Sequence, residues 1–395
     1  MPASMQTVSA ILKEVYQPGI NDQLNNEVMA LKRVKRTSKG VDKVGGRDAY
    51  FAIHTTRNEG IGARNEMEAL PSAGQQGYAR GHVGLKYQYG GVQISGQTFE
   101  LASTDYQAFS NAVDEELKRL REDLAVDLNR QVYGDGTGKL VEVTSASGNT
   151  ITVSNANGRN IRKGMEVDIF AAGGTGSAKA ANRLVTGIDY DAGTITINGA
   201  APTLTAGDIV VRAGNVNREW TGYDKIIRNS GTLHDVDPSV EPLWKATVDS
   251  SGGEISELRM IEMVHKIRAE GGKTTVILTS QGLFRKYWQL LQGMRQIVNT
   301  QEFKGGYSGL GFVTENGEIP IVSDWTAPSG VMQFINENEM RILQTHDWKF
   351  MDRDGGGMWQ QVPGYDAYRA MLFQYSELAT FRRNTHGKFT GLTES

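Results

Sequence analysis

The spacing of apolar residues changes period several times along the chain, and each change marks a different element. Ala49, Phe51 and Ile53 alternate with Tyr50, Ala52 and His54, which predicts a strand. Val83, Leu85, Tyr87 and Tyr89 alternate with His82, Gly84, Lys86 and Gln88, which predicts a second. Between them runs TRNEGIGARNEMEALPSAGQQGYARG, Thr56 to Gly81, polar, glycine-rich and charged with both signs. A hairpin loop is normally about two to five residues. A connection this long that cannot bury a core, on two strands that are barely stable alone, predicts a reaching arm ordered by a neighbouring subunit.

Period-two spacing then gives way to threes and fours. Phe109, Val113, Leu117, Leu120, Leu124, Leu128 and Val132 form one apolar stripe, with Glu115, Lys118, Arg119, Glu122 and Asp127 away from it. The spacing predicts a helix of roughly 28 residues, a rod near ~40 Å long. Asp105 can cap it, and Glu115 stands four residues before Arg119, the favourable order for a helix ion pair. The stripe is too short, and its flanking charges too irregular, for a coiled coil. The helix runs out into YGDGTGK, which looks like a phosphate loop. A Walker loop would need glycine at Tyr133 and Ser or Thr at Leu140, and it would open a helix rather than close one. Gly134, Gly136 and Gly138 therefore predict an exit turn.

From Lys139 to about Arg212, short alternating strands are separated by Gly, Asn and Asp turns, which predicts a small barrel or sandwich set into the chain. GGTGSAKAAN within it is expected to be a flexible loop. Beyond it, Glu254 to Ala269 predicts a helix lined by Ile255, Leu258, Ile261, Val264 and Ile267 and stopped by Gly271-Gly272. Thr274 to Ser280 predicts a buried strand, and Gln281 to Gly293 a helix with Phe284, Tyr287, Trp288 and Leu291 inward. GFVTENGEIPIVSD, VMQFINENEMRIL and FMDRDGGGMWQQV are expected to be hairpins, and YRAMLFQYSELATFRR a strand or strand pair ending near Asn384. Two short helices, Val8 to Tyr16 and about Asn21 to Leu31, precede a basic cluster, Lys32-Arg33-Val34-Lys35-Arg36. That cluster predicts a solvated or intersubunit face, with a nucleic-acid contact as the rarer reading.

Composition narrows the function. The chain has 395 residues, room for two or three domains, and 42 Lys+Arg balance 45 Asp+Glu. A protein gripping DNA broadly would be basic. There is no cysteine, so no disulfide, thiolate nucleophile or cysteine metal site, which suits a reducing cytoplasm. No secretory signal is visible and no apolar stretch approaches the ~20 residues of a membrane span. Glycine stands at 47 residues, which favours turns and extended loops. Asp352-Arg353-Asp354-Gly355 begins like a calcium loop, but its twelfth position is Pro363, so a hairpin turn is expected. The six histidines lack H-x-x-x-H spacing, no G-x-S-x-G elbow occurs, and the tryptophans form no aromatic platform interleaved with basic residues. No catalytic site, cofactor or metal is expected.

The order of parts carries a resemblance. NEGIGARNEMEALPSAG resembles the extended loop of tailed-phage major capsid proteins of the Hong Kong 97 type. EELKRLREDLAVDLNRQVYGDGTG resembles their spine helix and its exit. IPIVSD and FMDRDGGGMWQQVPGYDAYRAMLFQYSELATFRRNTHGKFTGL resemble the end of the axial domain and the last peripheral strands. The likeness covers nearly the whole chain apart from 139–213. It implies an α+β fold: an N-terminal arm over 1–40, an extended-loop hairpin over 41–98, a peripheral domain with the spine helix over 99–138, an inserted barrel-like domain over 139–213, a mainly axial domain over 214–345 and a return to the peripheral domain over 346–395.

The resemblance also implies a role. Copies would form hexamers and pentamers that close into an icosahedral shell around double-stranded DNA, contacted non-specifically, with assembly in the host cytoplasm. A scaffolding protein, a portal and a decoration protein would be partners, the scaffold as a separate chain because the arm begins almost at Met1. Arg57, Glu59, Arg64, Glu66, Glu68 and Arg80 of the loop would meet the adjacent subunit, and Lys32, Arg33, Lys35 and Arg36 would be an interior basic contact. The type phage crosslinks through a lysine in its loop. This chain has none between Lys43 and Lys86, so crosslinking is not expected. The alternatives are an encapsulin-like nanocompartment shell, an enzyme with β-rich accessory domains, and a secreted adhesin.

Overall fold

The computed structural model describes residues 27–38, 48–97, 106–154, 160–293, 301–303, 307–315, 317–352 and 359–394, and the long helix has its side chains described from Glu116 onward. The expected helix at Val8–Tyr16, the Asp105 cap, the side chains of Phe109, Val113 and Glu115, and residues 353–358 of the Asp352 turn lie outside the described residues. So does most of the Asn21–Leu31 helix, whose described part is helical at Ala30–Arg33.

Two sheets and a barrel organise the chain. The first sheet has six strands built around the central strand Ala367–Thr380. One edge of that strand pairs with Met340–Gln344, Lys349–Phe350 and Gln360–Gln361. Its other edge pairs along ten residues with Lys86–Ser95. Lys35–Thr37 closes the far side by pairing in parallel with Met340–Gln344. The 28-residue helix Tyr106–Tyr133 packs on this sheet. Leu117 and Leu128 are buried, while Leu120 and Leu124 lie half-buried over Gly90, where a Cβ would stand 2.8 Å from Leu124 Cδ1. Glycine at that point lets strand and helix approach closely.

The second sheet has seven strands, with Val276–Thr279 buried in its centre and helices Glu257–Ala269 and Gln281–Gly293 against it. Ser256 caps the first helix by accepting from Arg259 N, and Gly271, at φ 80°, ends it. The inward faces hold Ile255, Val264, Ile267, Tyr287 and Leu291 as expected and depart from the expectation at two residues. Met260, Met263 and Val264 are buried while Leu258 is 76% exposed, and Leu283 is buried while Trp288 is 46% exposed. Met260 and Met263, absent from the expected lining, fill the space under the sheet.

Residues 139–212 form a closed six-stranded barrel around Val143, Ile151, Val167, Ile169 and Val210. The expected flexible loop GGTGSAKAAN is mostly strand: Thr175–Asp189 runs through it, and Asn182, at φ 49°, marks a break in register where its N–H donates to Asp168 at 2.7 Å. Small residues read as a loop, yet the segment is held by strand pairing while most of its side chains stay exposed.

Three more strand expectations change. The second arm strand ends at Gly84, and Lys86–Ser95 belongs to the six-stranded sheet instead. Met332–Ile335 and Met340–Gln344 are not a hairpin, because they join different sheets. Lys349–Phe350 and Gln360–Gln361 both pair with Ala367–Thr380 rather than with each other. Gly387–Phe389 then returns to the seven-stranded sheet. Strand identity is a local property; strand partnership is not.

Candidate functional site

The arm is a two-stranded ribbon, Asp48–Thr56 against Gly77–Gly84, with 57–76 as its loop. Its root is apolar: Ala49, Val83 and Leu85 bury against Leu343 and Ala379, and Phe51 packs edge-on to Phe381 at 5.1 Å. Its tip is the reverse. Ile61, Met67 and Leu70 are 82%, 100% and 83% exposed. Three large apolar side chains thus stand open on one loop.

The loop has its own internal braces. Asn58 donates to Gly74 O at 3.0 Å and accepts from Gly60 N at 2.7 Å. A Cβ on Gly60 would meet Gly74 N at 2.6 Å, so glycine is what allows the two limbs to touch. Of the expected tip contacts, Arg64 donates to Ala69 O and Ala63 O, Glu68 accepts from Asn65, and Arg80 lies 3.9 Å over the Tyr50 ring. These three shape the arm itself. Arg57, Glu59 and Glu66 are exposed and have no partner among the described residues.

The arm meets the body through His82. Its Nδ1 lies 2.7 Å from Asp235 and its Nε2 3.1 Å from Asp48, and its ring stacks on Tyr50 with centroids 4.9 Å apart. Desolvation is the largest single influence on His82 and opposes its charge; the two carboxylates together outweigh it and raise its pKa. His234 and Asp235 are both left-handed, at φ 55° and 62°, which aims Asp235 at the ring. The same turn accepts His82 N–H at His234 O, 2.9 Å.

The basic cluster is largely spent within the chain. Arg33 pairs with Glu337 at 2.8 Å, Lys35 reaches Asn338 and Arg36 reaches Gln344, each at 3.4 Å, while Lys32 is exposed. Burial lowers the Arg36 pKa, with Asp347 opposing it.

The last turns of the long helix carry a polar ridge that periodicity alone assigns to solvent. Arg130 is held by both carboxylate oxygens of Glu219, at 2.7 and 2.8 Å, and by Asp127. Asn129 accepts from Leu31 N and donates to Asp324. Gln131 exchanges bonds with Gln88 and accepts from Trp220 N. Arg212 of the barrel lies 3.5 Å from Asp127, and Arg162 lies 3.8 Å from Asp123. Burial works against charge on Asp127 and Arg130, but their mutual attraction prevails: the Asp127 pKa is lowered and that of Arg130 raised. One sign was legible. Val126 stands off the apolar stripe and is nevertheless buried, because the helix end is covered on all sides. The exit turn follows, with Gly136 and Gly138 at φ 88° and 87° and Thr137 bonded to Asp135. Gly134 lacks a positive φ and only closes the last turn onto Gln131 O.

Between the barrel, the long helix and the strand Lys86–Ser95 lies a cleft of about 1110 Å³. Beside it, Tyr87, Tyr89, Phe373, Tyr375 and His346 form an aromatic cluster on the sheet, with Lys349 5.3 Å from the Phe373 ring. The register of Tyr87 with Tyr375 and Tyr89 with Phe373 assembles what the sequence keeps far apart. Among the described residues there is no cluster of metal-ligating side chains, and no helix is long and apolar enough to cross a membrane.

The architecture can be compared with known proteins. No protein-family model matches the chain, and neither does any curated protein. Solved structures do. The chain aligns with a subunit of the cyanophage A-1(L) capsid at a TM-score of 0.59 and 13% identity, over 99% of this chain and 100% of that one. This chain has a phage capsid fold. Alignments at TM-scores of 0.49 were found with the SrpI encapsulin of Synechococcus elongatus (7% identity; 100% of this chain, 98% of that one) and with a chain of Gordonia phage Cozz (12% identity; 100% and 96%).

Proposed function

We propose that this chain is the major structural subunit of a tailed-phage capsid, forming hexamers and pentamers that close into an icosahedral shell around double-stranded DNA in the host cytoplasm. The carrying observation is the arm: a ribbon with an apolar root and a tip whose Ile61, Met67 and Leu70 are open to solvent in the single chain. Such a tip is explained by burial against another copy, and repeated heterologous contacts of this kind generate closed shells. The capsid fold along the full chain supports the same reading.

In that reading 48–84 is the extended loop of the Hong Kong 97 layout and the long helix is its spine. The six-stranded sheet is the core of the peripheral domain, the seven-stranded sheet that of the axial domain, and 139–212 an inserted domain. Scaffold, portal and decoration proteins would be partners, and DNA would be held loosely, in keeping with the balanced charge.

Size-exclusion chromatography with light scattering, then negative-stain microscopy of the heaviest peak, tests this. Shells, or free hexamers and pentamers, are expected. A chain that stays monomeric even with its scaffold would overturn the reading. Shells that carry a protein cargo and exclude DNA would favour a nanocompartment.

A further inference from the structure

Residues 227–246 form a long irregular segment. Between the short helix Tyr223–Ile226 and the strand Thr247–Asp249, its one β-contact is the bridge of Leu233 with Val236. A segment this long without helix or strand is uncommon inside a domain and usually has a task. Its shape comes from one side chain. Arg383 stands in the turn Arg383–Thr385, just after the central strand Ala367–Thr380, and is 1% exposed. A guanidinium carries five N–H donors in a rigid fork, and here they all go to backbone carbonyls. Nε donates to Ile226 O at 2.9 Å, Nη1 to Gly231 O at 2.8 Å and Trp244 O at 3.4 Å, and Nη2 to Ser230 O at 3.1 Å and Lys225 O at 3.4 Å. Burial, then the charge of Arg228, lowers its pKa to about 10, so it is still a cation at neutral pH. A buried charge is costly unless hydrogen bonds satisfy it, so fork and carbonyls hold one another.

The same segment bears on the arm. Trp244 Nε1 donates to Leu233 O at 3.1 Å, and Leu233 and Val236 exchange backbone bonds at 3.1 and 3.0 Å. These bonds close the turn in which His234 and Asp235 are left-handed, a conformation that costs free energy and persists where the surroundings enforce it. From that turn, Asp235 and His234 O hold His82 of the second arm strand. His234 and Trp244 flank the Phe51 ring of the first arm strand, with centroids 5.9 and 6.3 Å away. Both strands are therefore gripped beyond the apolar root. A ribbon held at its root alone can swing about it; a second support on both strands removes that freedom.

We propose that Arg383 is a positioning residue for the arm: by gathering 225–244 around its guanidinium, it fixes the direction in which the arm leaves the body of the free subunit. That direction is set before any second copy is met, which lowers the ordering cost of a later contact. It holds within a single chain, whether or not copies assemble.

The chain has no cysteine, so nitroxide labels can be placed selectively. One goes on Ser72→Cys in the arm loop and one on Leu258→Cys of the helix Glu257–Ala269, both exposed positions. Doubly labelled full chain is diluted into an excess of unlabelled chain, so that pulsed electron-spin resonance reads distances within one chain. With Arg383 in place the distribution should be narrow. Arg383→Lys keeps the cation but cannot span five carbonyls. It should broaden the distribution about twofold, as a locally opened unit would, while amide exchange in the seven-stranded sheet stays as in the wild type. Asp235→Ala alters an exposed residue, leaves the bonds of Arg383 in place and should broaden the distribution as well. If both variants keep the narrow distribution, even with an earlier urea midpoint, Arg383 only stabilises the fold and the proposal falls. Broadening by Asp235→Ala alone would also overturn the role of Arg383. Neither result touches the shell reading, which the chromatography and microscopy above decide.

Discussion

His82 Nδ1 and Asp235 Oδ2 face each other at 2.7 Å across the joint between the arm and the body. With Asp48 on the ring's other nitrogen, the imidazole bridges a carboxylate from each side of that joint. Facing it are also Tyr50, Arg80 beyond the Tyr50 ring, and His234, which burial holds neutral with a pKa pushed down to about 3.

The raised His82 pKa fixes the sign of its pH response. Its bridge is fully present below the ordinary histidine value of about 6.5 and is lost as pH climbs through the raised value. Amide exchange in 48–84 should therefore speed up between pH 6 and pH 8.5 relative to the seven-stranded sheet. His82→Gln, which keeps a donor and loses the charge, should flatten that difference. Equal pH dependence in both proteins would refute the bridge.

Glu377 titrates in the opposite setting. It is fully buried, and burial pushes its pKa up to about 8 although Thr221 N and Leu378 N both donate to its carboxyl. A carboxyl raised in the folded state stabilises most below its unfolded pKa, about 4.3, and loses that contribution as pH rises to about 8. Glu377→Gln keeps the acceptor oxygen. Its melting temperature should match the wild type near pH 5 and exceed it near pH 9.

Arg130 ties the long helix to the return from the barrel. Replacing it with Leu leaves Glu219 buried without its cation and should cost about 3–5 kcal/mol, the range for breaking one side of a buried pair. Urea unfolding of the free subunit measures this. Replacing Arg130 and Glu219 together with apolar residues should recover much of the loss, since no uncompensated charge then remains between them.

Gly90 sets the distance between edge strand and helix. In Gly90→Val the added carbons meet Leu124 and Leu120, which a Cβ alone would approach to 2.8 and 3.1 Å. Overpacking of about 1–3 kcal/mol is expected, read as an earlier urea midpoint with an unchanged slope.

What the sequence determined is what depends on neighbours along the chain. The Leu117–Leu128 stripe specifies a helix because 3.6-residue periodicity needs no partner to be visible, and the observed 28 residues match its length. The polar loop after Ile53 specifies an arm because it cannot bury a core, and the alternating segments after Lys139 specify a small β unit. Tertiary structure decided everything that depends on which surfaces meet. It placed Lys86–Ser95 in the six-stranded sheet, separated Met332–Ile335 from Met340–Gln344, and buried Asn129, Arg130 and Gln131 as a polar ridge. It also brought His82 to Asp235, and Tyr87 to Tyr375. A polar side chain looks the same in sequence whether water or Glu219 satisfies it, and a strand carries the same alternation whichever edge it joins. Pairing and burial are long-range free-energy choices, and periodicity records only the local part of them.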